Sequence, residues 1–162
     1  MGFLAKGSHT QKGETMFQGA AALNLDAKGR LTVPSRHRDA LNRNAPAAKL
    51  VLTAHPDGCA LLYPADAWEP IRSRVMSFPA LDQRFSVWKR LLVGFAEELE
   101  SDAAWRVLVS PELRKFAHLE KEVMLVGQGS HFEIWNQDAW EKQLQQLTPQ
   151  TQLPPGMEDF AL

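Results

Sequence analysis

Residues Asp26–Arg38 read DAKGRLTVPSRHR, and residues Asp102–Arg114 read DAAWRVLVSPELR. Laid over one another at an offset of 76 residues, from 26 to 102, they match at Asp26/Asp102, Arg30/Arg106, Val33/Val109 and Arg38/Arg114. A second pair of blocks follows downstream, LYPADAWE from Leu62 to Glu69 and IWNQDAWE from Ile134 to Glu141, at an offset of 72 residues, from 62 to 134. Between the blocks, Val51–Thr53 and Val123–Leu125 correspond as apolar segments. Extra residues around Asn42–Ala48 absorb the change of offset. One matching tetrapeptide is within reach of chance, whereas three blocks in the same order indicate a duplicated unit.

Each copy has the same expected local structure. Leu23 and Leu25 alternate with polar or small residues, as in a strand. Asp26–Gly29 has turn chemistry, with Gly open to positive φ and Asp able to bond back to nearby amides. Leu31 and Val33 continue as a second strand, and Pro34 is suited to open a short helix. Strands are expected at Lys49–Thr53 and Cys59–Tyr63, joined by the HPDG turn His55–Gly58, then a helix carrying Asp66, Trp68, Ile71 and Val75. The second copy predicts a strand at Val107–Val109, a short helix from Pro111, strands at Val123–Val126 and Phe132–Trp135 joined through GQGS, and a helix from Gln137 to Leu147 burying Trp140, Leu144 and Leu147. Leu81, Phe85, Trp88, Leu92 and Phe95, three or four apart, predict one amphipathic helix between the copies. The expected organisation is an extension or tag without fold over residues 1–15, a first half over 16–69, a helical linker over 70–98, a second half over 99–147 and a flexible tail over 148–162. Halves this small bury little core alone. The economical fold is mixed β/α, mainly β, with the two halves interleaved into a shared barrel flanked by helices.

Composition narrows the function. The chain has 162 residues, with 18 Lys and Arg against 19 Asp and Glu and a formal charge of -1. A uniformly basic surface is excluded, but a local patch is not. From Lys28 to Lys49 stand six cations (Lys28, Arg30, Arg36, Arg38, Arg43, Lys49) against Asp39, while Glu97, Glu98, Glu100 and Asp102 cluster elsewhere. Such a patch neutralises phosphates. The single cysteine excludes an intrachain disulfide, and the five histidines are scattered without metal-ligand spacing. No G-x-S-x-G elbow surrounds Ser110, and GQGS lacks the Lys-Ser/Thr of a phosphate loop. Catalysis, a metal, a cofactor and a small-molecule substrate are therefore not expected.

From Met16 onward, MFQGAAALNLDAKGRLTVPSRHR, together with VLVSPELRKFAHLEKEVMLVGQGSHFEIW in the second half, resembles the MraZ family of the AbrB-like group. The resemblance spans roughly Met16 to Leu147. It implies a double-split, swapped-hairpin β-barrel formed from two tandem AbrB-like halves. It also implies a sequence-specific binder of double-stranded DNA, likened to an autorepressor of the division and cell-wall gene cluster acting on short direct repeats. Homo-oligomeric rings in a cytoplasmic, nucleoid-associated protein are implied as well. A non-catalytic oligomeric scaffold is the alternative.

The candidate DNA-binding residues are Arg30, Lys28, Arg36, Arg38, Arg106 and Arg114, with Asp26, Gly29 and Asp102 as the structural residues of the motif. Arg30, at a turn–strand junction, can reach a guanine edge or a phosphate; equally, it can bond Asp26 and pin the turn. Arg38 and Arg114 recur in both copies, which also fits maintenance of the fold. One departure stands out: Trp105 occupies the place of Gly29. A tryptophan is costly at positive φ, so the second turn is expected to differ from the first.

Overall fold

The computed structural model describes residues 16–42, 49–147 and 152–161. The expected extension over 1–15, Arg43 and the start of the tail lie outside the described residues. In chain order the elements are β1 (Ala20–Asn24), β2 (Arg30–Thr32), α1 (Ser35–Asn42), β3 (Lys49–Ala54), β4 (Ala60–Pro64), α2 (Ala65–Met76), α3 (Gln83–Leu92), β5 (Glu97–Glu100), β6 (Arg106–Leu108), α4 (Pro111–Phe116), β7 (Glu122–Gly127), β8 (Phe132–Asn136) and α5 (Gln137–Gln145). The fold is mixed β/α and mainly β, with flanking helices. One sheet has six strands in the order β1-β7-β8-β4-β3-β5, and β2 and β6 form a separate two-stranded ribbon.

This order explains the repeat. Exchanging each first-copy strand for its counterpart turns the six-strand order into its own reverse, so the two copies are related by a pseudo-twofold operation. The copies also interleave. β1 of the first half pairs antiparallel with β7 of the second, and β5 of the second pairs with β3 of the first. The operation runs through two register points, Leu31 opposite Val107 in the ribbon and Leu61 opposite Glu133 between β4 and β8. Each hairpin thus completes its sheet with a strand donated by the other half.

The sheet is buried on both faces, which is why β3 reads LVLTA without alternation. Leu50 and Leu52 join a core with Leu31, Val33, Val107, Val109, Leu113, Phe132 and Ile134, under the ribbon and the short helices α1 and α4. Val51 points to a second core with Leu61, Tyr63, Trp68 and Trp135, covered by α2, α3 and α5. Fully burying each such aliphatic side chain stabilises the fold by roughly 1.5–3 kcal/mol. Buried Thr53 donates its hydroxyl to the Leu92 carbonyl at 2.7 Å, tying the end of α3 to β3.

Two expectations are corrected here, and one strand has no counterpart among them. The linker helix is shorter than the apolar spacing implies: Asp82 caps it by accepting from the Arg84 amide, leaving Leu81 99% exposed ahead of it. At the other end, the Val93 and Gly94 amides both bond Lys89 O, and Phe95 leaves the helix to pack on Phe116. α5 stops at Gln145, with Trp140 half-buried and Leu144 and Leu147 exposed. The acidic segment Glu97–Glu100 is a strand, β5. Its sequence EELE has no run of β-formers, and only pairing with β3 makes it one.

Candidate nucleic-acid interface

The site begins with one carboxylate in each half. Asp26 Oδ1 accepts from the amides of Lys28 at 3.0 Å and Arg30 at 2.9 Å, and Oδ2 accepts from Arg30 Nε at 2.6 Å. The Gly29 amide closes the turn onto Asp26 O at 2.9 Å. The second half repeats each bond. Asp102 Oδ1 accepts from Ala104 N at 2.9 Å and Arg106 N at 2.8 Å, Oδ2 accepts from Arg106 Nε at 2.7 Å, and Trp105 N reaches Asp102 O at 3.0 Å. The Arg30 amide, reinforced by its guanidinium, holds the Asp26 carboxyl below its usual range, and Arg106 does the same for Asp102. Both aspartates therefore stay ionised, and both arginines are held in one orientation through Nε.

The expectation that the two turns differ is overturned. Gly29 has φ 83° and Trp105 has φ 59°, so the tryptophan adopts the left-handed conformation the turn requires. That conformation costs an L-residue roughly 1–2 kcal/mol. The surroundings offset it. The Trp105 carbonyl accepts from Val33 N at 2.8 Å, its ring packs against the core, and the Arg38 guanidinium lies 5.9 Å from the ring centroid. The pseudo-twofold-related Arg114 lies over Gly29 so closely that a Cβ there would come within 2.6 Å of its guanidinium.

β2 and β6 run antiparallel with Arg30 opposite Leu108 and Thr32 opposite Arg106. Leu31 and Val107 are fully buried, so the alternate residues face out. The outward face carries Arg30, Thr32, Arg106 and Leu108, with the two arginines on a diagonal across the pseudo-twofold point. Thr32 and Leu108 escaped the sequence reading; the period-two alternation around buried Leu31 and Val107 was the signal that could have found them.

A family model described as MraZ protein, antitoxin-like, matches residues 16–90 and 92–153. The chain belongs to the MraZ family. It is 57% identical over 149 residues to the transcriptional regulator MraZ of Methylobacillus flagellatus, covering 91% of this chain and 100% of the relative. The corresponding protein of Aromatoleum aromaticum is 56% identical with the same coverage, and that of Cupriavidus taiwanensis is 49% identical over 146 residues, covering 90% of this chain and 99% of the relative.

The other candidate residues of this MraZ-family chain fall into two groups. Arg38 and Arg114 are half-buried; each donates through Nε to a carbonyl of its own half, Arg38 to Val33 O at 3.0 Å and Arg114 to Val109 O at 3.1 Å. Each also overlies the turn of the other half, so both stitch the two motifs together. Lys28, at the first turn tip, and Arg36 are exposed. Arg36 Nε donates to His37 Nε2 at 3.1 Å, and its guanidinium lies beside Gly19. At the equivalent positions the second half has Ala104 and Glu112, so these two exposed cations have no counterpart in the second half. Among the described residues no cluster of His, Cys, Asp and Glu could hold a metal ion, and no helix is long and apolar enough to cross a membrane.

Proposed function

We propose that the chain is a sequence-specific DNA-binding transcriptional regulator, an autorepressor of the division and cell-wall gene cluster acting on short direct repeats upstream, without catalytic activity. The observation that carries this reading is the β2–β6 ribbon with Arg30 and Arg106 set diagonally on its open face, each held by an aspartate. A two-stranded ribbon fits the major groove of B-DNA, and an arginine fork matches O6 and N7 of guanine. The aspartates take up Nε, and no described residue bonds the terminal nitrogens, which are the atoms a bidentate contact uses. Lys28 and Arg36 supply phosphate contacts beside the ribbon, while Arg38 and Arg114 act by holding the turns and lie close enough to add charge.

In this proposal the six-stranded sheet and the ribbon together form a swapped-hairpin barrel of two AbrB-like halves, residues 16–69 and 99–147, joined by the linker 70–98. Subunits assemble into a homo-oligomeric ring in the cytoplasm at the nucleoid, so that several ribbons engage successive repeats and weak contacts add as avidity. A non-catalytic scaffold is the alternative, and the exposed cations Lys28 and Arg36 beside the ribbon speak against it.

Fluorescence anisotropy on the chain's own upstream region and on a scrambled duplex, across a salt series, tests the reading. Arg30→Ala is expected to lose about 1–3 kcal/mol of specific binding per site with its fold intact by circular dichroism. Lys28→Ala should weaken both duplexes and reduce the salt slope by about one unit. A wild type that binds both duplexes equally would leave the scaffold in place of the regulator.

A further inference from the structure

The ribbon carries two residues that the charge argument leaves unused. Leu108 is 52% exposed, in a strand whose neighbours Val107 and Val109 are fully buried. It lies directly across from Arg30, while Thr32, its counterpart in the first half, lies directly across from Arg106. Side chains opposite one another on an antiparallel face have Cβ atoms about 4.5–5.5 Å apart. Whatever base edge the Arg30 fork reaches, Leu108 therefore meets the edge beside it. In the major groove the apolar group offered by a base edge is the thymine 5-methyl, which aliphatic side chains and the threonine methyl contact.

We infer that Leu108 is a specificity-determining residue, packing on the 5-methyl of a thymine next to the base read by Arg30. This rests on the DNA-binding reading above. Thr32 offers a smaller methyl and a hydroxyl at the equivalent place. The two ends of the ribbon thus ask for different bases although the backbone around them is pseudo-symmetric: Arg30 with Leu108 at one end, Arg106 with Thr32 at the other. The site is then read in one direction only.

The test uses the full chain and a duplex that the wild type itself selects from a random-sequence pool. Each thymine is replaced in turn by uracil, which removes the 5-methyl and keeps every hydrogen-bonding group. Wild type should lose about fourfold in affinity at one thymine, the value of one buried methyl group, and little at the others. Leu108→Ala should bind the parent duplex about fourfold more weakly and no longer distinguish uracil from thymine at that position. A variant that remains as sensitive to the methyl as wild type overturns the assignment to Leu108. A wild type that still prefers its selected duplex but is indifferent to uracil at every position overturns the inference and leaves the regulator reading standing; the uracil scan on wild type decides this even if the variant is poorly folded. A pool that yields no preferred sequence overturns both.

Discussion

Gly29 and Trp105 occupy one position of the repeat, and both take positive φ. What separates them is the residue overhead. Arg114 presses on Gly29, whereas Arg38 stands off from Trp105 by enough to lie near its ring. Gly29→Ala should therefore cost about 1–2 kcal/mol for the left-handed conformation, and more because Arg114 must move and give up its bond to Val109 O. Urea denaturation of Gly29→Ala alone and combined with Arg114→Ala would show this as a coupling between the sites; fully additive losses would mean that the arginine gives way freely. His37 makes a second residue-scale case. It is buried between Phe17 and Phe132, and burial, followed by the nearby Arg36 charge, pushes its imidazole below the ordinary value. Above that ordinary value, about 6.5, folded and unfolded chains are both neutral at this site. As pH falls through it, the unfolded chain takes up the proton and the folded chain does not, so stability declines. The melting temperature should drop between pH 7 and 5, and His37→Gln should flatten that part of the profile; His131, also shifted down by burial, supplies the remainder.

At the scale of elements, equivalent helices begin differently. α5 is capped by Asn136, whose Oδ1 accepts from Ala139 N at 3.0 Å while Nδ2 donates to His118 O at 2.8 Å. The counterpart of that cap is Pro64, which offers no side-chain cap to α2. Asp66 and Asp138 sit in the first turns, where the helix dipole favours them. Asn136→Ala removes both bonds and should destabilise the chain by about 1–2 kcal/mol; Asn136→Asp keeps the cap and loses the bond to His118, so its melting temperature should fall between the two. An unchanged Asn136→Ala would show that packing alone sets the start of α5.

For the whole molecule, the pairing of β1 with β7 and β5 with β3 means that neither half holds a complete sheet. Outside this shared body, Met76, Val87, Trp88 and Leu144 remain exposed on α2, α3 and α5, and Leu147 just beyond α5. The proposed ring is expected to cover apolar surface of this kind. Light scattering on the untagged chain should give a mass several times 18.2 kDa, and Trp88→Glu should lower it without loss of helix content. A monomer at micromolar concentration would remove the ring from the proposal.

Much of this fold is legible in the amino-acid sequence. The paired D-x-x-x-R blocks, HPDG and the strands around Val51 and Val123 depend on local chemistry: an aspartate bonding back to its own turn, a glycine at positive φ, apolar residues at a strand's spacing. Arg30 and Asp26 were legible as partners for the same reason, being four residues apart across one turn. The elements that were not legible lack a local signal. Glu97–Glu100 becomes a strand only because β3 offers it an edge, and Trp105 accepts a glycine's conformation only because the other half supplies Val33, the core and Arg38. Leu108 belongs to the outward face of the ribbon only because β6 lies beside β2. The sequence alone determined the duplication, the turns and the charge of the first motif, because these are set within a few residues. The interleaving of the halves, the likeness of the two turns and the makeup of the ribbon face were decided by tertiary structure, because each depends on contacts between residues far apart in the chain, from 45 positions between Leu52 and Glu97 to 106 between Ala20 and Val126.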